Sequence, residues 1–129
     1  MRSLIFAVLL ALLFGSPAFA QQVSGRSIYQ TYCESCHGSQ GKGDGTFASM
    51  LRRPPADLTR ITEEAGGTFP AEQVHRTIDG RDPVSGHGGG DMPVWGDAFS
   101  RSSQGSSPED VKAKIDALVK HIESLQPKP

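Results

Sequence analysis

The sequence contains only two cysteines, Cys33 and Cys36, and that scarcity narrows their chemistry at once. A structural zinc site closes with four Cys or His ligands, so His75, His87 or His121 would have to complete one from distant stretches. An excess of either charge is also lacking. Thirteen Lys and Arg stand against 14 Asp and Glu, with none of the basic striping that nucleic acid requires. β-Branched alternation is sparse, so no stretch demands a sheet, and the βαβ setting of a thioredoxin-like dithiol is missing. The one unbroken apolar run, Leu4 to Phe14, is shorter than the ~20 residues a bilayer-spanning helix needs. The glycine-rich stretch Gly41-Lys42-Gly43-Asp44-Gly45 has no Ser or Thr after its lysine and trails a helix rather than a strand. It is a turn-rich loop, not a phosphate cradle.

What is present begins with a leader. Arg2 supplies a positive start, Leu4 to Phe14 the apolar centre, and Ala18-Phe19-Ala20 a small-residue cleavage site. That is the form of a secretory signal peptide over residues 1–20, and no cysteine follows it to carry a lipid. The expectation is an exported, soluble protein of the bacterial periplasm, with one domain over residues 21–129 and no stable membrane insertion after cleavage. Loss of Arg2 leaves 12 basic residues (13 less one) against 14 acidic, a formal charge of about −2. A chain this short buries a modest core, so a tightly held apolar group would supply missing apolar surface.

The informative stretch is Cys33-Glu34-Ser35-Cys36-His37. On a helix, residues three and four apart share a face, so Cys33 points the same way as Cys36 and His37. Two thioether bonds then tie a porphyrin edge to the helix while the imidazole reaches the iron. This spacing is the attachment signature of one covalently bound haem c.

Along the rest of the chain, a first helix is expected from near Ser24 to His37, ended by Gly38. Phe47 to Leu51 forms a short helical turn with Met50, stopped by Pro54-Pro55, and residues 54–59 cross the haem edge as extended chain. Thr68 caps a helix with Pro70 at its start, running to Asp79 with Gly80 behind it, and Val74 and Ile78 face inward. Ser85 to Gly90 is a glycine-dense loop, Asp91 to Gly96 follows, and Phe99 to Ser107 reads as polar surface loop. The last helix opens with Ser107 as N-cap and Pro108 at N1, and Val111, Ile115, Leu118, Ile122 and Leu125 form its buried stripe.

Taken together, the chain resembles the single-haem, class I c-type cytochromes. Gly25 and Tyr29 precede the attachment run as a glycine and an aromatic do in that family, Leu118 to Ile122 matches its C-terminal helix, and Met92-Pro93-Val94-Trp95-Gly96 is similar to its distal-ligand loop. The resemblance implies a mostly α fold, small and cytochrome c-like, wrapped around the haem with first and last helices packed together. It also implies a proline carbonyl, from Pro54 or Pro55, that accepts the Nδ1–H of His37.

Two methionines remain as distal candidates once Met1 leaves with the leader. Met50 lies a short way past His37 in a helical setting that suits a core or haem-wall role. Met92 lies between a glycine run and Pro93, and a loop so placed can carry a thioether to the iron. His87 is its competitor, whereas His75 reads as a helix-face residue and His121 as a packing residue. Leu58, Phe47, Phe69, Trp95 and Ile78 are candidates for an apolar wall, and Arg52, Arg53, Arg81 and Trp95 for propionate contacts. With His37 and Met92 as axial ligands the iron is saturated, and the protein is a one-electron carrier rather than an enzyme, docking transiently to a redox donor and acceptor. The alternatives are a haem protein with an open or His-ligated distal site, reactive toward gas or peroxide, and a haem subunit of a larger respiratory complex.

Overall fold

Backbone contact between the first and last helices sets the frame on which everything else hangs. The structure is a computed structural model that describes residues 24–81, 92–102 and 106–128. The expected leader, the glycine-dense loop with His87, and residues 103–105 of the expected surface loop lie outside the described residues. Helix α1 spans Gly25–Tyr32 and α6 spans Pro108–Ser124. They touch where Gly25 meets the Ala117 carbonyl; a Cβ on Gly25 would collide with that oxygen and press on the His121 Cβ. Beside this crossing, α1 buries Ile28 and Tyr29.

Helix α6 forms as its sequence dictates. Asp110 N–H donates to Ser107 Oγ at 3.2 Å and Ser107 N–H donates to Asp110 Oδ2 at 3.1 Å, a reciprocal cap with Pro108 at N1. Its buried stripe is Val111, Ile115, Leu118, Val119 and Ile122; Leu125 is the half-buried C-cap residue. Ile115 and Leu118 are fully enclosed, and each such side chain contributes roughly 1.5–3 kcal/mol by leaving water.

Against α6 also pack α4, Ala71–Asp79, through Val74 and Ile78, and α5, Trp95–Ser100, through Phe99. Between α2 (Glu34–His37) and α4 run 3-10 turns at Ala48–Met50 and Leu58–Arg60 and the short helix α3, Ile61–Glu64. Among the described residues every regular element is helical, so the mostly α expectation and the packing of first on last helix both hold.

Four local expectations need correction. The extended chain expected over residues 54–59 ends at Asp57, because Leu58–Arg60 is a 3-10 turn whose start is capped by the Asp57 side chain. The helix expected from Ser24 to His37 is two pieces, because the backbone is distorted at Cys33 (φ −115°, ψ −35°) between α1 and α2. The helix expected near Pro70 starts at Ala71: Pro70 itself takes ψ 68°, outside the helical range, and Thr68 plays no part in the cap. Its other end is as read, with Gly80 in the left-handed conformation at φ 68°. Finally, Trp95 to Ser100 is helix rather than loop. Trp95 and Phe99 stand four apart, their rings stack at 5.5 Å, and Phe99 is 4% exposed, so apolar packing overrides the serines and arginine that suggested surface.

Candidate functional site

Cys33, Cys36 and His37 come together on a single turn. The Cys33 carbonyl accepts from Cys36 N–H at 3.1 Å and from His37 N–H at 2.9 Å. Residues bonded three and four apart in this way project from one helical face. A helix end leaves its last carbonyls without intrahelical donors, and here the following loop supplies them. Phe47 N–H donates to Ser35 O at 2.8 Å, Gly45 N–H to Cys36 O at 3.1 Å, and Gly43 N–H to His37 O at 2.8 Å. The chain can fold back so closely because of its glycines: a Cβ on Gly45 would strike the Ser35 and Cys36 carbonyls. Tyr29 Oη donates to the Gly38 carbonyl at 2.7 Å, which ties the end of the motif to the core.

His37 Nδ1 lies 3.1 Å from the Ala56 carbonyl. A carbonyl can only accept, so Nδ1 carries the proton and the Nε2 lone pair is left for another partner. The acceptor is therefore neither Pro54 nor Pro55; the Pro55 carbonyl instead faces Gly43, where a Cβ would strike it. The two prolines stiffen the approach and deliver the next carbonyl. Burial lowers the His37 pKa, opposed by the bond to Ala56, so the ring is a neutral donor at neutral pH. Burial, with the neighbouring Cys36, pushes the Cys33 thiol up to about 12. A thiol so reluctant to ionise is a poor attacking group in disulfide exchange.

Several large apolar side chains that a folded domain usually covers stand exposed. Tyr32 is 46% exposed, Phe47 51% and Met50 77%, with Met92 and Val94 also exposed. Tyr32 meets Trp95 and Phe99 edge-on, with ring centroids 5.5 and 5.4 Å away. Of the wall candidates, Ile78 belongs to the core, Leu58, Phe69 and Trp95 are partly buried against it, and Phe47 stands open. Two free thiols, a neutral imidazole with its Nε2 lone pair unused and uncovered apolar side chains are a donor set that suits a haem c. Met92 is exposed, three residues before α5; His87 lies outside the described residues.

The other histidines are structural. His121 packs its ring on Tyr29 at 5.0 Å, filling the seam between α1 and α6. His75 Nε2 lies 3.4 Å from Asp116 Oδ1, too poorly aimed for a hydrogen bond. Arg52 and Arg53 are exposed, whereas Arg81 gives Nε and Nη2 to the two oxygens of Asp79 at 2.6 and 2.7 Å. Gly96 lies against this pair, with no room for a Cβ, so the pair joins the end of α4 to the start of α5.

The Arg81 hydrogen bonds hold the Asp79 carboxyl below the usual carboxylate range. A depressed folded pKa stabilises above the unfolded value, about 4, and the benefit is lost as pH falls through the folded value. Arg81 is half exposed, so the expected size is at most about 1 kcal/mol. Urea unfolding should therefore separate wild type from Asp79→Asn at pH 7, with the gap closing toward pH 3. A gap of the same size at both pH values would refute this.

Ala56 and Gln126, which holds the segment after Ala56, carry no sequence signal: one acts through its backbone and the other through contacts with residues 58 and 62. Asp79 and Arg81 do carry a weak one, an acid and a base on either side of a helix-ending glycine.

A family model described as cytochrome C oxidase, cbb3-type, subunit III matches residues 20–122. No curated protein and no solved structure matches.

Proposed function

The chain belongs to this c-type cytochrome family, and is thus an electron-transfer protein of the haem c class rather than an enzyme; from that premise we propose that it is an exported one-electron carrier with His37 and Met92 as axial ligands. When bound, the haem supplies reversible exchange of one electron at its iron. Cys33 and Cys36 anchor it through thioethers. His37 presents Nε2, its ring orientation and tautomer held by the Ala56 carbonyl. Met92 would supply its thioether as the second ligand, with Pro93 limiting its excursions. Tyr32, Phe47, Trp95 and Val94 exclude water. The hydrogen bond from His37 to Ala56 is the observation that carries the proposal, since it prepares the imidazole for a metal rather than for proton transfer. The leader-like first 20 residues support a periplasmic location.

Optical spectra of the oxidised and reduced holoprotein, beside those of Met92→Ala, test the ligand pair. The oxidised wild type should show a sulfur-to-iron charge-transfer band, which disappears in the variant. The variant should also bind carbon monoxide when reduced, and wild type should not at neutral pH. A wild type that lacks the band or binds carbon monoxide would instead favour His87 or an open distal site.

A second reading, a fixed haem subunit of a respiratory complex, draws on the description of the matching family. No helix among the described residues is long and apolar enough to cross a membrane. Recovery of the chain only in a stable membrane-bound assembly would favour that reading over a freely docking shuttle.

A further inference from the structure

Gln126, just past the C-cap of α6, uses its whole side-chain amide. Nε2 donates to Leu58 O at 2.7 Å and to Ile122 O at 2.9 Å, and Oε1 accepts from Thr62 N–H at 3.0 Å. Two donor hydrogens and one acceptor are thereby engaged at once. The Ile122 bond fixes the amide to its own helix, and the other two reach the first turn after the site. Leu58 is held from the far side as well, since its N–H donates to Gly41 O at 2.6 Å. The segment that begins at Ala56 is therefore gripped between the loop that follows His37 and the end of α6. Asp57, the residue next to Ala56, is tied into the same turn by accepting from Thr59 N–H at 2.9 Å and Thr59 Oγ1 at 2.6 Å.

We propose that Gln126 is a positioning residue for His37: by pinning residues 58 and 62 to α6, it sets the Ala56 carbonyl at bonding distance from Nδ1. This rests on ligation of the haem iron by His37. At 3.1 Å the Nδ1 bond already lies toward the long end of the N–H···O range, and a small retreat of the segment breaks it. The hydrogen bond draws the ring toward imidazolate character and strengthens it as a ligand to ferric iron. Weakening it favours the ferrous state and exposes the Nδ1 proton to water.

The test uses the haem-loaded full chain and compares Gln126→Leu with Ser107→Ala, which weakens the opposite end of α6 and leaves the Ala56 segment alone. Two quantities are read: the exchange rate of the His37 Nδ1 proton by NMR, and the midpoint potential. Gln126→Leu should speed exchange about tenfold, the factor that loss of one hydrogen bond yields, and should raise the potential. Ser107→Ala should change neither. Should Gln126→Leu fail to load haem, Gln126→Asn keeps a neutral amide with both donors and the acceptor on a shorter stem, and a smaller change in the same direction is expected. Wild-type exchange and potential in the Gln126 variants would overturn the proposal. A wild type whose spectrum lacks a His37-ligated iron would overturn the ligation itself, a result distinct from an intact wild type beside an unresponsive variant.

Discussion

Gly25→Val is expected to destabilise the protein by about 3 kcal/mol or more, the upper end of what overpacking costs. The position lies on α1 against the backbone of α6, and a Cβ there would overlap the Ala117 carbonyl. A flexible side chain can swing aside, but a carbonyl fixed inside a helix cannot do so without moving the helix. The crossing also carries Tyr29 against His121 and, through Tyr29 Oη, the end of the attachment turn, so separation of the helices loosens all three. Against a total stability of about 5–15 kcal/mol, such a loss is large. Urea midpoints would measure it, with Ala113→Val on the exposed face of α6 as the comparison, expected within about 0.5 kcal/mol of wild type. Equal midpoints for Gly25→Val and Ala113→Val would contradict the close crossing.

The second large effect is expected from removal of both thiols. In Cys33→Ala/Cys36→Ala, acidified organic solvent should strip the haem from the polypeptide, whereas wild type should retain it through its thioethers. Far-UV circular dichroism should then show the stripped chain losing helix at temperatures where wild type keeps it. The reason lies in the exposed apolar side chains. Tyr32, Phe47, Met50, Met92 and Val94 are only partly covered by the polypeptide, and a small domain has little stability to spare. A covalently tied group covers such surface at any dilution. A reversibly held one stabilises only by mass action, roughly 2.7 kcal/mol at a hundredfold excess over Kd. Haem that stays with the double variant through extraction would show that the cysteines are not its attachment points.

Features encoded within a few residues were legible without a structure. The turn that gathers Cys33, Cys36 and His37 follows from their spacing, and the α6 cap and stripe from the spacing of Ser107, Asp110 and the apolar residues behind them. What escaped sequence reasoning was set at longer range. The break at Cys33 lies inside an otherwise helical pattern, and α5 is hidden because Trp95 and Phe99 carry its apolar face among polar neighbours. The acceptor for His37 is a backbone oxygen at a position where any residue would offer the same atom. Gln126 meets its partner Leu58 across 68 residues, a relation no local pattern announces.

The short span of the contacts that close the attachment turn has a consequence for the order of assembly. Phe47 reaches back only twelve residues to Ser35, and Gly43 and Gly45 reach back over less. The bond from Gln126 to Leu58 closes a loop of 68. Closure entropy rises with loop length by about 0.6 kcal/mol per doubling, so the longer closure costs roughly 1.5 kcal/mol more and awaits the docking of α6. In a chain that emerges from its N-terminus, the two thiols can be displayed on a formed turn while the last helix is still being made. For the haem protein proposed above, attachment can then come before the fold is complete, with the seating of the imidazole left to the arrival of the C-terminus.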